Sequence, residues 1–317
     1  MIRGLLDRAQ RSGVAPAIQA VVCRGPDRML DLALGQVSAS RLTGPDTLFD
    51  LASLTKVLLT ATAWTELWAR GLDYPDQTMA PGLRVEDVLR HRAGFPAHRR
   101  FDANLGQIRP ETWSAWRAIL AQVRRVPRRH PGSTVYSDLG FMLLGERIEE
   151  RSGRRLEAWA TEEGFHAFDR RDGPRTVPKD LALAGQEGRV HDDNARAMGG
   201  VAGHAGLFGS ARTVAAAAQR SLERHRVSTQ WQAAWAQGTS RFGLGWDHPE
   251  PGGTAPGWPS RAVGHLGHTG TSVWIDPRSG LIAVLLTNRI RGNAGLRGIL
   301  ALRRAFHAAV WQVWGSP

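Results

Sequence analysis

Two pairs of apolar, β-rich segments lie near the two ends of this 317-residue chain and constrain its fold more than any other feature. Ala17 to Arg24 and Met29 to Val37 flank a Gly-Pro-Asp-Arg turn, whereas Ser272 to Ile275 and Leu281 to Thr287 flank an Asp-Pro-Arg-Ser-Gly turn. Apolar segments joined by short turns that contain glycine and proline are typical of β-hairpins. The pattern therefore predicts an antiparallel sheet assembled from both termini.

The chain between and beside these hairpins has helical periodicity. Apolar residues recur at intervals of three and four over the segments 2–11, 54–69, 85–89, 112–123, 139–151, 213–224 and 296–313. We expect an α+β fold in which helices flank the sheet and a mostly helical region is inserted. The expected organisation is one catalytic unit over 1–317, with a sheet-containing part at 1–45 and 205–317 and a mainly helical part at 46–204.

Composition limits the kinds of partner. No apolar run approaches the roughly 20 residues needed to cross a bilayer, and Asp7 interrupts the start of the chain too early for a secretory signal, so we expect a cytoplasmic protein. The net charge of +12 comes almost entirely from arginine, with clusters at 99–100, 124–125 and 128–129. Because no aromatic residues interleave with them, these clusters favour a solvated basic surface over nucleic-acid binding. The oligomeric state is left open.

The scarcity of lysine draws attention to Lys56. Among 41 basic residues only Lys56 and Lys179 are lysines, and lysine, unlike arginine, can lose its proton in a protein. Ser53 lies three residues before Lys56 at the start of a predicted helix, a spacing that puts a nucleophile and a base on one face. The alternative is that Ser53 caps the helix and Lys56 is a surface residue.

Two further polar segments contain candidate site residues. Tyr136-Ser137-Asp138 precedes the helix at 139–151, and a tyrosine can act as a base where a nearby cation lowers its pKa. Its alternative role is that of a core residue, with Ser137 capping the helix. The segment 264–271 leads into an apolar strand, and its glycines allow a substrate to approach the backbone closely.

The histidines raise the question of a metal. Candidate ligands besides His265 and His268 are His191, Asp192, Asp193 and His204. Their spacing matches no HExxH-type motif, and the single Cys23 excludes a disulfide within the chain and a site with several thiolates. We therefore expect neither a metal nor an organic cofactor, and we interpret Cys23 as a core residue.

The order Ser-x-x-Lys, Tyr-Ser-Asp and His-x-Gly resembles the serine β-lactamase and penicillin-binding protein family. Tyr136-Ser137-Asp138 is similar to the Tyr-Ser-Asn box of the class C enzymes and of their esterase and D-alanyl carboxypeptidase relatives. His265-Leu266-Gly267 stands where those proteins have Lys-Thr-Gly or His-Thr-Gly. Residues 89–96 and 190–208 resemble two further family segments, which we interpret mainly as architecture around the cleft.

This resemblance implies a β-lactamase/transpeptidase-like fold and a serine hydrolase that forms an acyl-enzyme on Ser53. Lys56 and Tyr136 would move the proton, and the backbone amides of Ser53 and His268 would form the oxyanion hole. The residues implied in substrate binding are Asp138, His265, Gly267 and Thr269. A neutral Lys56 near pH 7 requires that its pKa fall by about three, and we expect burial and arginine neighbours to lower it.

Two departures from the family pattern bear on the substrate. Asp138 replaces an asparagine, and His265 with Leu266 replaces a fixed cation and a hydroxyl. These changes argue against β-lactam hydrolysis and favour a small ester or a peptide-like amide as substrate. The alternative is a non-catalytic sensor or binding protein of the penicillin-binding type with the same fold.

Overall fold

A six-stranded antiparallel sheet forms the base of the fold in the computed structural model, which describes residues 1–38, 41–167, 183–184, 189–238 and 241–315. Its strands, in spatial order, are β10 (Val263–Leu266), β11 (Ser272–Asp276), β12 (Leu281–Thr287), β1 (Ala17–Arg24), β2 (Asp27–Ser38) and β3 (Arg41–Leu42). Strands β1 and β12 pair from Ile18 with Thr287 to Arg24 with Leu281. The prediction that both termini build one antiparallel sheet is therefore confirmed.

Helices cover both faces of this sheet. The described α-helices are α1 (Ile2–Arg11), α2 (Thr62–Ala69), α3 (Val85–Leu89), α4 (Trp113–Arg124), α5 (Asp138–Ser152), α6 (Leu156–Glu162), α7 (Asp193–Ala197), α8 (Ala211–Val227), α9 (Thr229–Trp235) and α10 (Gly295–Trp314). Helices α1 and α10 pack on one face, where Ile18 and Val22 lie, and α8 packs on the other, where Val21 and Cys23 lie. Within the described ranges, no helix has the length and apolar character needed to cross a membrane.

Shorter strands lie within and next to the segment expected to be mainly helical. Strands β4 (Leu48–Asp50), β7 (His166–Ala167), β8 (Leu183–Ala184) and β9 (Leu207–Gly209) form a second sheet, and β5 (Thr78–Ala80) pairs with β6 (Leu83–Arg84). Strand β4 ends immediately before the turn that contains Ser53.

The segment predicted as a regular helix over 54–69 differs in its first turns. Lys56–Ala61 form a π-helical turn, and the α-helical geometry of α2 begins only at Thr62. Side-chain hydroxyls satisfy carbonyls around this wide turn: Thr62 Oγ1 donates to the Val57 carbonyl at 2.8 Å, and Thr60 Oγ1 donates to the Gly203 carbonyl at 2.5 Å. Such π turns inside helices occur frequently at functional sites.

Candidate active site

Ser53 lies in a strained turn between β4 and the π-helical turn. Ala52, directly before it, has a φ of 48°, in a region that residues with a side chain rarely adopt. The Ala52 N–H donates to Asp50 Oδ1 at 2.8 Å, and the His191 N–H donates to Asp50 Oδ2 at 2.7 Å. The buried Asp50 carboxylate therefore holds the backbone that presents Ser53.

Lys56 is fully buried, and its ammonium group has three oxygen partners. Nζ donates to Ser53 Oγ at 3.2 Å, to Asp138 Oδ1 at 2.6 Å and to the His204 carbonyl at 3.0 Å. Burial by itself lowers the pKa of Lys56, but the Asp138 carboxylate, together with Tyr136, raises this pKa to well above its ordinary value. The expectation that burial and arginine neighbours lower it is wrong, because the charged group that faces Lys56 is a carboxylate.

Asp138 links buried Lys56 to the solvent-facing side of the site. Burial raises the pKa of Asp138, but Lys56 and His98 lower it by more, so that the carboxyl is strongly acidic. Its second oxygen, Oδ2, lies 3.1 Å from Nδ1 of His98, and this hydrogen bond raises the pKa of His98. Asp138 is thus a carboxylate held between two nitrogen groups.

One group of side chains has the composition of a metal site. His98, Asp138 and Asp192 place one potential ligand atom each within 4.8 Å of one another. Both carboxylates already have a partner, because Asp138 pairs with Lys56 and Asp192 Oδ1 lies 2.9 Å from Nε2 of His204. Of the ligands considered from the sequence, only Asp192 belongs to this group, and the absence of a metal stays a prediction.

Tyr136 lies against both Ser53 and Lys56. Its hydroxyl hydrogen-bonds with the side chains of these two residues, and Lys56 Nζ lies 5.0 Å from the centre of its ring. Burial raises the pKa of Tyr136, and the neighbouring ammonium opposes this only in part, so the phenol keeps its proton near neutral pH. Ser137 caps α5, since its Oγ accepts from the Leu139 N–H at 3.2 Å.

The third motif runs beside the turn that contains Ser53 and holds it. Thr269 Oγ1 donates to the Asp50 carbonyl at 2.6 Å, and Thr271 Oγ1 donates to the Leu51 carbonyl at 3.0 Å. A Cβ atom on Gly267 would lie 2.5 Å from the same Leu51 oxygen, so only glycine allows this close approach. The structure thus gives Gly267 and Thr269 a role in supporting the backbone around Ser53.

The two histidines of this motif have different environments. His265 is buried, its ring centre lies 5.8 Å from that of Tyr136, and burial, followed by the charge of Lys56, lowers its pKa to about 3. Because Nδ1 donates to the Leu266 carbonyl at 2.8 Å, the neutral ring has its proton on that nitrogen. His268 is exposed and stacks on His191, with 5.3 Å between ring centres.

The backbone N–H groups of Ser53 and His268 are available to a bound oxygen. Over the described part of the chain, neither group donates to a protein acceptor. Arg303 holds the loop that contains His268. Its Nη2 donates to the Thr271 carbonyl at 2.7 Å and to the Gly267 carbonyl. Burial, together with the charge of Arg289, lowers the pKa of Arg303 to about 9.

The profile of the beta-lactamase family matches residues 1–306. The chain belongs to this family. That membership accounts for the order of the three motifs and confirms the resemblance on which the fold was predicted.

Two curated relatives match most of the chain. A protein of Escherichia coli K12 named "Putative D-alanyl-D-alanine carboxypeptidase" is 28% identical over 311 residues, which cover 77% of this chain and 69% of that protein. A Bacillus subtilis protein named "N-acetylmuramyl-L-alanine amidase" is 30% identical over 311 residues, covering 77% of this chain and 68% of the relative. Both names describe hydrolases of peptide-like bonds.

Solved structures superpose over nearly the whole chain, among them a class C beta lactamase with a TM-score of 0.72 at 15% identity, which covers 97% of this chain and 96% of its own. SurE, determined with D-Leu, has a TM-score of 0.74 at 24% identity and covers 100% of this chain and 76% of its own. EstCE1, described as a hydrolase with promiscuous acyltransferase activity, has a TM-score of 0.71 at 20% identity, with 96% and 97% coverage. At these identities the likeness shows the fold, and the predicted β-lactamase/transpeptidase-like class is confirmed.

Sequence reasoning missed three residues that shape this family member's site. Asp50 and His98 lie in segments without a recognised motif, and their roles depend on backbone turns that bring them to Ala52 and Asp138. Arg303 lies on α10 as one of many arginines, and nothing in its local sequence distinguishes it. The signal that could have found Asp50 is its position at the end of a strand, three residues before Ser53.

Proposed function

We propose that this protein is a serine hydrolase that cleaves a small ester or peptide-like amide through an acyl-enzyme on Ser53. The observation that carries the proposal is the contact of Ser53 Oγ with both Lys56 Nζ, at 3.2 Å, and the hydroxyl of Tyr136. A hydroxyl between two groups that can exchange protons is the arrangement that nucleophilic catalysis needs. The names of the curated relatives and of EstCE1 support the same class of reaction.

In the proposed mechanism, Ser53 Oγ attacks the carbonyl carbon while its proton passes to Lys56. Lys56 must first be neutral, and because Asp138 holds it charged at rest, turnover increases with pH as the ammonium loses its proton. Tyr136 then protonates the leaving group and regains a proton from Lys56. Hydrolysis of the acyl-enzyme repeats these transfers with water as the attacking group.

The negative charge that develops on the carbonyl oxygen is stabilised by the backbone N–H groups of Ser53 and His268. Donors of this kind are already oriented before the reaction, and loss of one costs about 10²–10³ in kcat in a well-studied serine protease. Arg303 and Thr269 act as positioning residues, because they fix the two loops to which these N–H groups belong.

The charges around the site favour esters and simple amides over β-lactams. His265 occupies the position of the fixed cation that meets a β-lactam carboxylate in relatives, and with a pKa of about 3 it is neutral at pH 7. Asp138 offers a carboxylate, already paired with Lys56, where an amide side chain would contact a substrate amide. We therefore propose that His265 and Asp138 line the acyl site without attracting an anionic group.

The alternative is a non-catalytic sensor with the same fold, and covalent labelling separates the two. A fluorophosphonate is expected to add once, at Ser53, in intact-mass spectrometry of the wild type. Ser53→Ala abolishes the adduct, and Lys56→Ala slows both labelling and p-nitrophenyl acetate turnover by about 10²–10⁴. Ser114→Ala, at an exposed serine of α4, is the matched control and leaves both unchanged. A wild type that neither labels nor turns over favours the sensor.

A further inference from the structure

A basic cavity is lined in part by the segment that directly follows His98. Its volume is about 430 Å³, and its polar lining residues are Arg99, Arg100, Asn104, Gln122 and Arg125. None of its described lining residues carries a carboxylate. The proposed chemistry at Ser53 uses none of these groups, so the cavity needs an explanation of its own.

Two of the three guanidinium groups have no acidic partner in the described structure. Arg100 pairs with Asp102 at 2.7 Å and with Asp193 at 3.3 Å, whereas no carboxylate within the described ranges lies at ion-pair distance from Arg99 or Arg125. By contrast, Arg124, directly before Arg125 in the chain, has an acidic partner, because it pairs with Glu146. The cavity therefore presents positive charge that the protein itself does not neutralise.

The backbone that forms one wall is held in place before any ligand binds. Asn194 is completely buried, and its Oδ1 accepts from the N–H groups of Phe101 at 2.9 Å and Asp102 at 3.1 Å. Its Nδ2 donates to the Arg99 carbonyl at 2.8 Å. A buried amide with three bonds to three residues of the segment 99–102 fixes the wall, and a fixed wall reduces the ordering cost of binding.

The backbone that lines the cavity continues from a residue at the edge of the site. Arg99 directly follows His98, whose ring lies 3.1 Å from the Asp138 carboxylate, and the Asp138 N–H donates to the Ala97 carbonyl at 3.0 Å. Arg100 reaches Asp193 at 3.3 Å, the neighbour of Asp192 at the same edge of the site. The segment 97–101 therefore links His98, at the edge of the site, to the cavity.

We propose that this cavity binds a phosphate group carried by the small-molecule substrate of the hydrolase. Guanidinium groups donate two parallel hydrogen bonds to phosphate oxygens, and arginine is favoured over lysine for this recognition. A volume of about 430 Å³ exceeds that of one phosphate and suits a phosphorylated sugar or nucleoside. The assignment of the bound phosphate to the substrate rests on the proposed function. The binding of phosphate in the cavity does not.

The test uses inorganic pyrophosphate as probe, measured by calorimetry at fixed ionic strength of about 0.15 M, where weak surface attraction is screened. Ser53→Ala is expected to bind pyrophosphate as the wild type does. The binding result can therefore be interpreted even if the proposal of a hydrolase fails. The double variant Arg99→Gln/Arg125→Gln is expected to weaken binding by about 100-fold, at about tenfold for each lost charged hydrogen bond. Arg3→Gln/Arg117→Gln makes the same charge change at exposed arginines outside the cavity and retains binding.

Three results would overturn the proposal. The first is equal loss of affinity in both double variants, which indicates attraction to net charge alone. The second is equal binding of tricarballylate and pyrophosphate, which indicates a site for any polyanion. The third is retention of duplex DNA or phosphatidic acid vesicles that depends on Arg99 and Arg125 without pyrophosphate binding, which indicates a macromolecular or membrane surface.

Discussion

Replacing Asp138 by asparagine tests the role of the buried ion pair. The change keeps the shape of the side chain and removes the charge that lies 2.6 Å from Lys56 Nζ. Opposite unit charges about 4 Å apart attract by about 4 kcal/mol at an effective dielectric constant of 20. Since 1.36 kcal/mol corresponds to one pH unit, the proton affinity of Lys56 should fall by about a thousandfold.

The sign follows from the direction of the effect. A carboxylate raises the pKa of Lys56, so without it the base becomes neutral at lower pH, and the rising limb of kcat/KM against pH moves down by about three pH units. Profiles with p-nitrophenyl acetate between pH 5 and about 11 measure this shift. Asp31→Asn is the matched control, because this carboxylate pairs with Arg28 and Arg212 and not with a residue of the site, so its removal leaves the limb in place. If the rising limb of kcat/KM stays at the same pH in Asp138→Asn, or moves to higher pH, the assignment of Lys56 as the titrating base is refuted.

Three further substitutions separate support of the site from support of the fold. Gly267→Ala places a Cβ 2.5 Å from a carbonyl of the nucleophile's turn, so we expect kcat/KM to fall by about 100-fold while circular dichroism shows a folded protein; normal turnover would contradict this. Thr269→Val leaves the buried Asp50 carbonyl without its 2.6 Å donor and should lower the free energy of unfolding in urea by about 1–3 kcal/mol; a change within error would show that the bond is dispensable. Asp73→Asn breaks the buried pair with Arg147, at 2.6 Å, and should cost about 3–5 kcal/mol in the same assay with kcat/KM unchanged; a parallel loss of activity would place this pair in the catalytic machinery.

Local features of the chain were readable from the sequence because their causes are local. Helix α1 begins and ends at the predicted residues, Ile2 and Arg11, since apolar side chains at helical spacing, three of them fully buried, define its inner face. The spacing of Ser53 and Lys56 gave their contact for the same reason. The π-helical turn that follows could not be predicted from the sequence, because it involves the contact of Thr60 with the distant Gly203 carbonyl.

The electrostatics of the site were not predictable from composition. Arginine dominates the charge of the chain, yet the group that decides the protonation of Lys56 is Asp138, 82 positions away. The supporting bond from Thr269 to Asp50 spans 219 positions. Such long-range pairs appear only when the fold brings the segments together, whereas the motif order places the residues in one cleft without fixing their charges.

The pairing of β1 with β12 also sets the time at which a newly made chain can complete its fold. The Ala17 N–H donates to Asn288 Oδ1 at 2.8 Å across 271 positions. At a synthesis rate of about 5–20 residues per second, the amino-terminal hairpin waits roughly 15–55 seconds on the ribosome for its partner strand. The turn with Ser53 waits roughly 10–45 seconds at the same rate for Thr269, which braces it. Chains that stop before Thr269 therefore lack both this brace and β12, and they leave one edge of β1 without a partner strand.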